Sequence, residues 1–200
     1  MNSEDIDSGD VDLEALERQC VELLVEALSE ALPAFCQKYS DQCLYAVCLL
    51  QGSELDGFGL IGNTVEVVEE SVRKMPHYPR AMMQTHAGSW GAFGDYEPFV
   101  EVNKKMYEFN DLGVDDGALL DRVILGAAKK VDFPHLVITQ YKGDILTGAF
   151  DPSPTELELR RTLAVSAVVN TPAWHQQVKD YVEYILAQEF VWRSKVPTII

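Results

Sequence analysis

The chain has 200 residues, 47% of them hydrophobic and 24% charged, with 32 acidic side chains against 16 basic ones and a formal net charge of −16. That size and balance fit one globular domain with a sizeable core. The acidity excludes a phosphate-binding patch, because the adjacent basic pairs Lys104-Lys105, Lys129-Lys130 and Arg160-Arg161 are isolated among acids, so neither nucleic acid nor an anionic membrane surface is an expected partner.

The acid is unevenly placed. The first thirty residues carry ten acids against the single base Arg18, and residues 91–120 carry seven against Lys104 and Lys105, so the two segments hold −14 of the −16. Met1 to Asp12 has acids where a secretory leader carries positive charge, and the longest apolar run, Cys43–Leu50, is too short to span a bilayer. Cys20, Cys36, Cys43 and Cys48 lack the CxxC spacing of zinc sites and the density of a disulfide scaffold. The expectation is a cytoplasmic single domain over residues 1–200 with packed, reduced thiols, residues 1–10 forming a flexible acidic end.

Leu13, Leu16, Cys20, Leu23, Leu24, Ala27, Leu28 and Ala31 recur at three- and four-residue steps, the period of an amphipathic helix. Asp10 suits its N-cap, and Pro33 interrupts the pattern before one further turn. Cys43–Leu50 reads as a buried strand, Gln51–Gly57 as a hairpin loop, and Phe58, Leu60 and Ile61 as the returning strand. Asn63 or Thr64 caps a short helix through Val72. From Met75 to Pro98 the pattern dissolves into a loop rich in prolines, glycines and the aromatics Tyr78, Trp90, Phe93 and Tyr96; such loops are functional or folded onto themselves. Helical spacing returns at Phe99, Val102, Met106 and Phe109, and again from Ala118 to Val131. His135–Tyr141 reads as a strand, Lys142-Gly143-Asp144 as a turn and Ile145–Phe150 as its hairpin partner. Ser153-Pro154-Thr155-Glu156 supplies an N-cap, a first-turn proline and a capping-box acid for a helix to Val169, and Thr171-Pro172 opens the last helix. The expected fold is α+β: a small, mostly antiparallel sheet of two hairpins, packed by five to six helices on one side.

Motif by motif, catalysis finds little support. Gly57-Phe-Gly-Leu-Ile-Gly62 matches GxGxxG, but its intervening residues are strand-like and no acid lies near Met82. Ala87-Gly-Ser89-Trp-Gly91 resembles a nucleophile elbow without the strand-to-helix context that exposes the serine. No two histidines share a helical face, and the Asp115-Asp116 pair and the Asp144 and Asp151 carboxylates lack calcium-loop spacing. No catalytic residue, metal or cofactor is expected. Thr198-Ile-Ile200 has the form of a sheet-augmenting terminus, although a packed strand explains it as well.

Two features suit recognition. Trp90 fits either a plug of the domain's own core or an interface anchor. The two acidic segments, if adjacent, form one negative face able to steer a basic partner, with Glu14, Glu17, Glu22, Asp95, Tyr96, Glu97, Glu101, Asp115 and Asp116 as its contact residues beside Trp90.

The run Leu44-Tyr45-Ala46-Val47-Cys48-Leu49, then Asn63-Thr64 with Glu66, Trp90 in an aromatic loop, Phe99 and Asn103, and a late strand hairpin ending at Asp151 resembles the order of features in the bacterial domain of unknown function 4303. The resemblance covers residues 12–170 and implies a small, acidic, cytoplasmic protein of toxin–immunity neighbourhoods; it implies no catalytic residue. The leading expectation is therefore a non-enzymatic protein-binding domain, an immunity-type protein that neutralises a basic toxin or effector through its acidic face. One alternative is a small-molecule-binding protein or hydrolase with a pocket under the 75–98 loop, lined by His86, Ser89, Trp90, Asp95 and Tyr96. Another is a structural subunit of a homo-oligomer; the sequence does not fix the oligomeric state.

Overall fold

The computed structural model describes residues 12–52, 57–111, 116–151 and 154–195, with side chains excepted at 52, 89, 109–111, 116–117 and 189–195. The acidic end, the tip of the first hairpin, Asp115, Ser153 and the terminal Thr198-Ile-Ile200 lie outside the described residues. The elements are α1 (Leu13–Lys38), β1 (Leu44–Gly52), β2 (Gly57–Thr64), α2 (Val65–Lys74), α3 (Arg80–Thr85), β3 (Ala92–Phe93), α4 (Val100–Asp111), α5 (Asp116–Ala128), α6 (Phe133–Leu136), β4 (Leu146–Phe150), α7 (Glu156–Val169) and α8 (Pro172–Lys195). The fold is α+β, and six of its helices have ten residues or more.

The sheet runs β3-β2-β1-β4. β1 pairs antiparallel with β2 and parallel with β4, so the sheet is mixed, and the expected second hairpin does not form. Its first half is helical instead: the Asp132 carboxylate accepts from the His135 amide and Pro134 sits in the first turn of α6, which fixes φ for a helix start. Ile138, the centre of the expected strand, is 75% exposed.

Helices cover both faces of the sheet rather than one. β1 is buried throughout from Leu44 to Leu50, and a strand apolar on both faces needs a layer on each. Leu44, Val47 and Leu49 point into a core completed by Leu24, Leu28, Leu32 and Phe35 of α1, Val102 of α4 and Val123 and Ile124 of α5. Tyr45, Ala46, Cys48 and Leu50 point into a second core with Val68 of α2, Met83 of α3, Trp90, and Trp174, Val178 and Tyr181 of α8. Pro33 does not stop α1, because Leu32, Phe35 and Cys36 continue its buried stripe across the lost amide. Three caps differ in detail from the sequence reading or decide it. Asp12 rather than Asp10 caps α1, accepting from Ala15 at 2.9 Å. Thr64 rather than Asn63 caps α2, and Thr155 with Glu158 forms the capping box of α7 in place of Ser153 with Glu156.

On each side of the sheet an amide side chain takes the backbone groups of one residue, and at the edge strand β3 the Tyr39 hydroxyl accepts from the Phe93 amide and donates to its carbonyl. β3 spans only two residues, so the start of β2 has no strand beside it; there Asn103 of α4, 3% exposed, accepts from the Phe58 amide at 2.7 Å and donates to the Phe58 carbonyl at 3.2 Å. On the outer side of β4, Asn170 accepts from the Thr147 amide at 3.0 Å and donates to its carbonyl at 2.7 Å, while the Thr162 hydroxyl donates to the Ala149 carbonyl. Each asparagine reproduces the donor–acceptor pair that a neighbouring strand would present. With α7 and Asn170 on that side, β4 has no place for a hairpin partner.

Leucine at position 103 would orphan a buried N–H and C=O, at about 1–3 kcal/mol for each group. Asn103→Leu is therefore expected to lower the unfolding free energy by at least about 2 kcal/mol in urea titrations, with a similar and additive loss for Asn170→Leu on the far side of the sheet. A loss within error of wild type at Asn103 would show that the clamp is dispensable.

Candidate functional site

The 75–98 segment folds down onto the second core. Tyr45 fixes it there: its hydroxyl accepts from Asn63 Nδ2 and donates to the Gln84 carbonyl, each at 3.0 Å, and its ring stacks on Trp174 of α8 at 6.0 Å. Gln177 of α8 donates to Gln84 Oε1 at 3.0 Å and toward the Ala81 carbonyl at 3.4 Å. A short helix without a side-chain cap is thereby held against a long one by hydrogen bonds at both of its ends.

Above that tie the two elements diverge and enclose a cleft of about 430 Å³. One wall is Met75, Tyr78, Met82, Met83 and His86; the other is Tyr181, Tyr184, Ile185 and Gln188, spaced along one face of α8 at steps of three and four. At the floor, His86 Nδ1 lies 3.3 Å from the Tyr181 hydroxyl. Burial holds the His86 imidazole below its ordinary value of 6.5, hence neutral at pH 7. The Tyr181 hydroxyl is pushed up to about 12, first by burial and then by the negative charge of Asp151, itself 6% exposed. The volume falls within the range of small-molecule sites, and an apolar wall with a few convergent polar groups is their usual chemistry.

Of the residues proposed for a pocket under this loop, His86 lines the cleft. Trp90 is 4% exposed and packs on Phe150 at 5.4 Å, inside the core; its Nε1 is buried without a hydrogen-bond partner among the described residues. Tyr96, 49% exposed, lines a separate 150 Å³ hollow with Phe93 beside β2. Asp95 lies against α1. Ser89 closes a 3-10 turn that follows α3, so no strand leads into it and the elbow geometry is absent; nothing is described of its side chain. Sequence reasoning missed the whole α8 wall. Its signal was present in the spacing of Tyr181 and Ile185, which reads equally as a core stripe.

The glycine motif is strand throughout, since Gly57, Gly59 and Gly62 all lie in β2. Gly57 has φ of +143° and no room for a Cβ beside Asn103, and Gly62 brings β2 against Phe35 of α1.

The acidic segments do meet. Lys38, at the end of α1, pairs with Asp95 at 2.7 Å, and a 170 Å³ hollow there is lined by Glu30 of α1 with Asp95 and Glu97. The fold also brings cations to this face. Glu14 pairs with Arg18, Glu17 with Arg122 at 2.8 Å, Glu22 with Lys130, Glu101 with Lys104 at 2.6 Å and Glu108 with Lys105 at 2.6 Å. Asp116 opens α5, and Asp115 lies outside the described residues. Among the described residues no helix is long and apolar enough to cross a membrane.

The chain matches no protein-family model, no curated protein and no solved structure.

The depressed His86 pKa sets a pH dependence. The unfolded chain takes up a proton as pH falls through about 6.5, whereas the buried imidazole resists it until lower pH, so the unfolded state gains over that window and stability falls with acidification. His86→Gln is expected to flatten the decline in unfolding free energy between pH 7.5 and 5 relative to wild type, measured by urea titration at each pH. Parallel curves for the two proteins would contradict a buried, neutral His86.

Proposed function

We propose that this protein binds a small molecule in the cleft between α3 and α8. The observation that carries the reading is a preformed, half-open apolar cleft of about 430 Å³ with one neutral polar pair, His86 and Tyr181, at its floor. A packing defect would not be lined by flexible methionines on one wall and large tyrosines on the other that stop short of closing it. The hydrogen bonds from Tyr45 and Gln177 keep the walls in place, which lowers the ordering cost of binding.

A second reading is favoured by the hollow in which Glu30 of the first acidic segment meets Asp95 and Glu97 of the second. On it the protein is a protein-binding domain of immunity type, engaging a basic toxin or effector through Glu26, Glu30 and Glu97 and the paired acids around them. The resemblance to domain of unknown function 4303 supports this reading, and the internal pairing weakens it, because six of the acids on this face already have a cation of their own. Glu26→Gln/Glu30→Gln/Glu97→Gln is expected to slow association with a basic partner at low salt and to leave it unchanged at 0.5 M NaCl. Equal rates for the variant and wild type at low salt would exclude the acidic face.

For the cleft, a fragment library read by thermal shift is expected to give hits that raise the melting temperature of wild type and not of Ile185→Trp, whose indole fills the space. A ligand at a hundred times its Kd adds about 2.7 kcal/mol, a shift of several degrees for a domain of this size. Hits that stabilise both proteins equally would place the binding elsewhere.

A further inference from the structure

We infer that the α3–α8 cleft takes an uncharged molecule bearing an aromatic ring, an inference that rests on the ligand-site reading above. Among the described residues no Asp, Glu, Lys or Arg lines the cleft. The two groups at its floor, His86 and Tyr181, are both neutral at pH 7, and their mutual hydrogen bond satisfies one polar direction of each. A charged ligand would give up its water without a counter-charge in the wall, which is costly in an apolar site. For an anion the site is worse still, since the Asp151 charge that raises Tyr181 acts through the same floor. What the walls do offer is polarisable surface. Met75, Met82 and Met83 present thioethers opposite the rings of Tyr181 and Tyr184, and both sulfur and ring faces favour an aromatic ring between them. The Tyr181 hydroxyl remains able to make one more hydrogen bond, which sets a single polar atom on the ligand against the floor.

Two fluorescent probes isolate the charge. N-phenyl-1-naphthylamine is uncharged; 1-anilinonaphthalene-8-sulfonate has the same rings with an added sulfonate. The full chain is expected to bind the uncharged probe at least ten times more tightly than the sulfonate, and Ile185→Trp to abolish that binding. Met82→Lys, which places a cation in the wall, is expected to shift the preference at least tenfold toward the sulfonate. Circular dichroism and the melting transition establish that each variant is folded, and Met82→Trp, filling the cleft from the opposite wall, replaces Ile185→Trp if the latter is not. Equal affinities for the two probes, both lost on filling the cleft, would overturn the inference about ligand class and leave the ligand site standing. No binding of the uncharged probe, or binding that survives filling the cleft from either wall, would overturn the site and the inference together.

Discussion

A strand with no polar face organises this molecule. From Leu44 to Leu50 every residue of β1 is buried, so neither side of the sheet is free to meet water, and the chain has to supply a helical layer twice. α1, α4 and α5 answer on one face; α2, α3 and α8 answer on the other. The central position of β1 follows as well, because its neighbours on both sides are strands. The parallel partner β4 begins at Leu146, far along the chain from the end of β1 at Gly52, and that crossover is what places α4 and α5 beside α1. The acidic helix and the acidic middle segment are thus neighbours because β1 needs β4.

The sequence carried the local part of this structure plainly. The six long helices follow from apolar spacing or from their capping residues, and the first hairpin follows from two apolar runs around a polar, glycine-containing stretch. The parallel pairing of β4 was not legible: it is a non-local choice, supported by Asn170, Thr162 and the buried Arg161, which bonds to Asp121 of α5 and Gln51 of β1. His135–Tyr141 misled for a related reason. Its apolar, largely β-branched run Leu136-Val137-Ile138 is genuine, but strand pairing needs an open neighbour, and α7 already occupies the side of β4 where it would have gone. At the cleft, His86 stood out as a histidine in an irregular aromatic loop, whereas Tyr184 and Gln188 had no distinguishing mark. Helical periodicity identifies which residues share a face of α8; it does not say that part of the face meets a cavity instead of a core.

Charge behaves differently at the two candidate surfaces. On the α1 face acids and bases are interleaved at contact distance, so the field of the N-terminal segment is partly closed within the protein before any partner approaches. In the cleft the described residues carry no charged side chain and present one hydrogen-bonded pair. The buried thiols share that character: burial raises Cys20 to about 11 and Cys48 well above its ordinary value, so both stay protonated and pack as small apolar groups.

Asn103 and Asn170 bear on solubility as well as stability. A sheet ends where its last backbone groups find something other than another strand, and exposed backbone rows invite pairing between molecules. Here each side has a carboxamide among its last partners, chemically a peptide unit without a chain attached, and hydroxyls complete the row: Tyr39 accepts from the Phe93 amide of β3 and donates to its carbonyl, and Thr162 donates to the Ala149 carbonyl of β4. Each carboxamide satisfies one residue of the row and offers no further row beyond itself. The sheet is therefore terminated by chemistry that cannot be extended, and a few side chains keep a strongly hydrophobic four-stranded core from becoming a template for self-assembly.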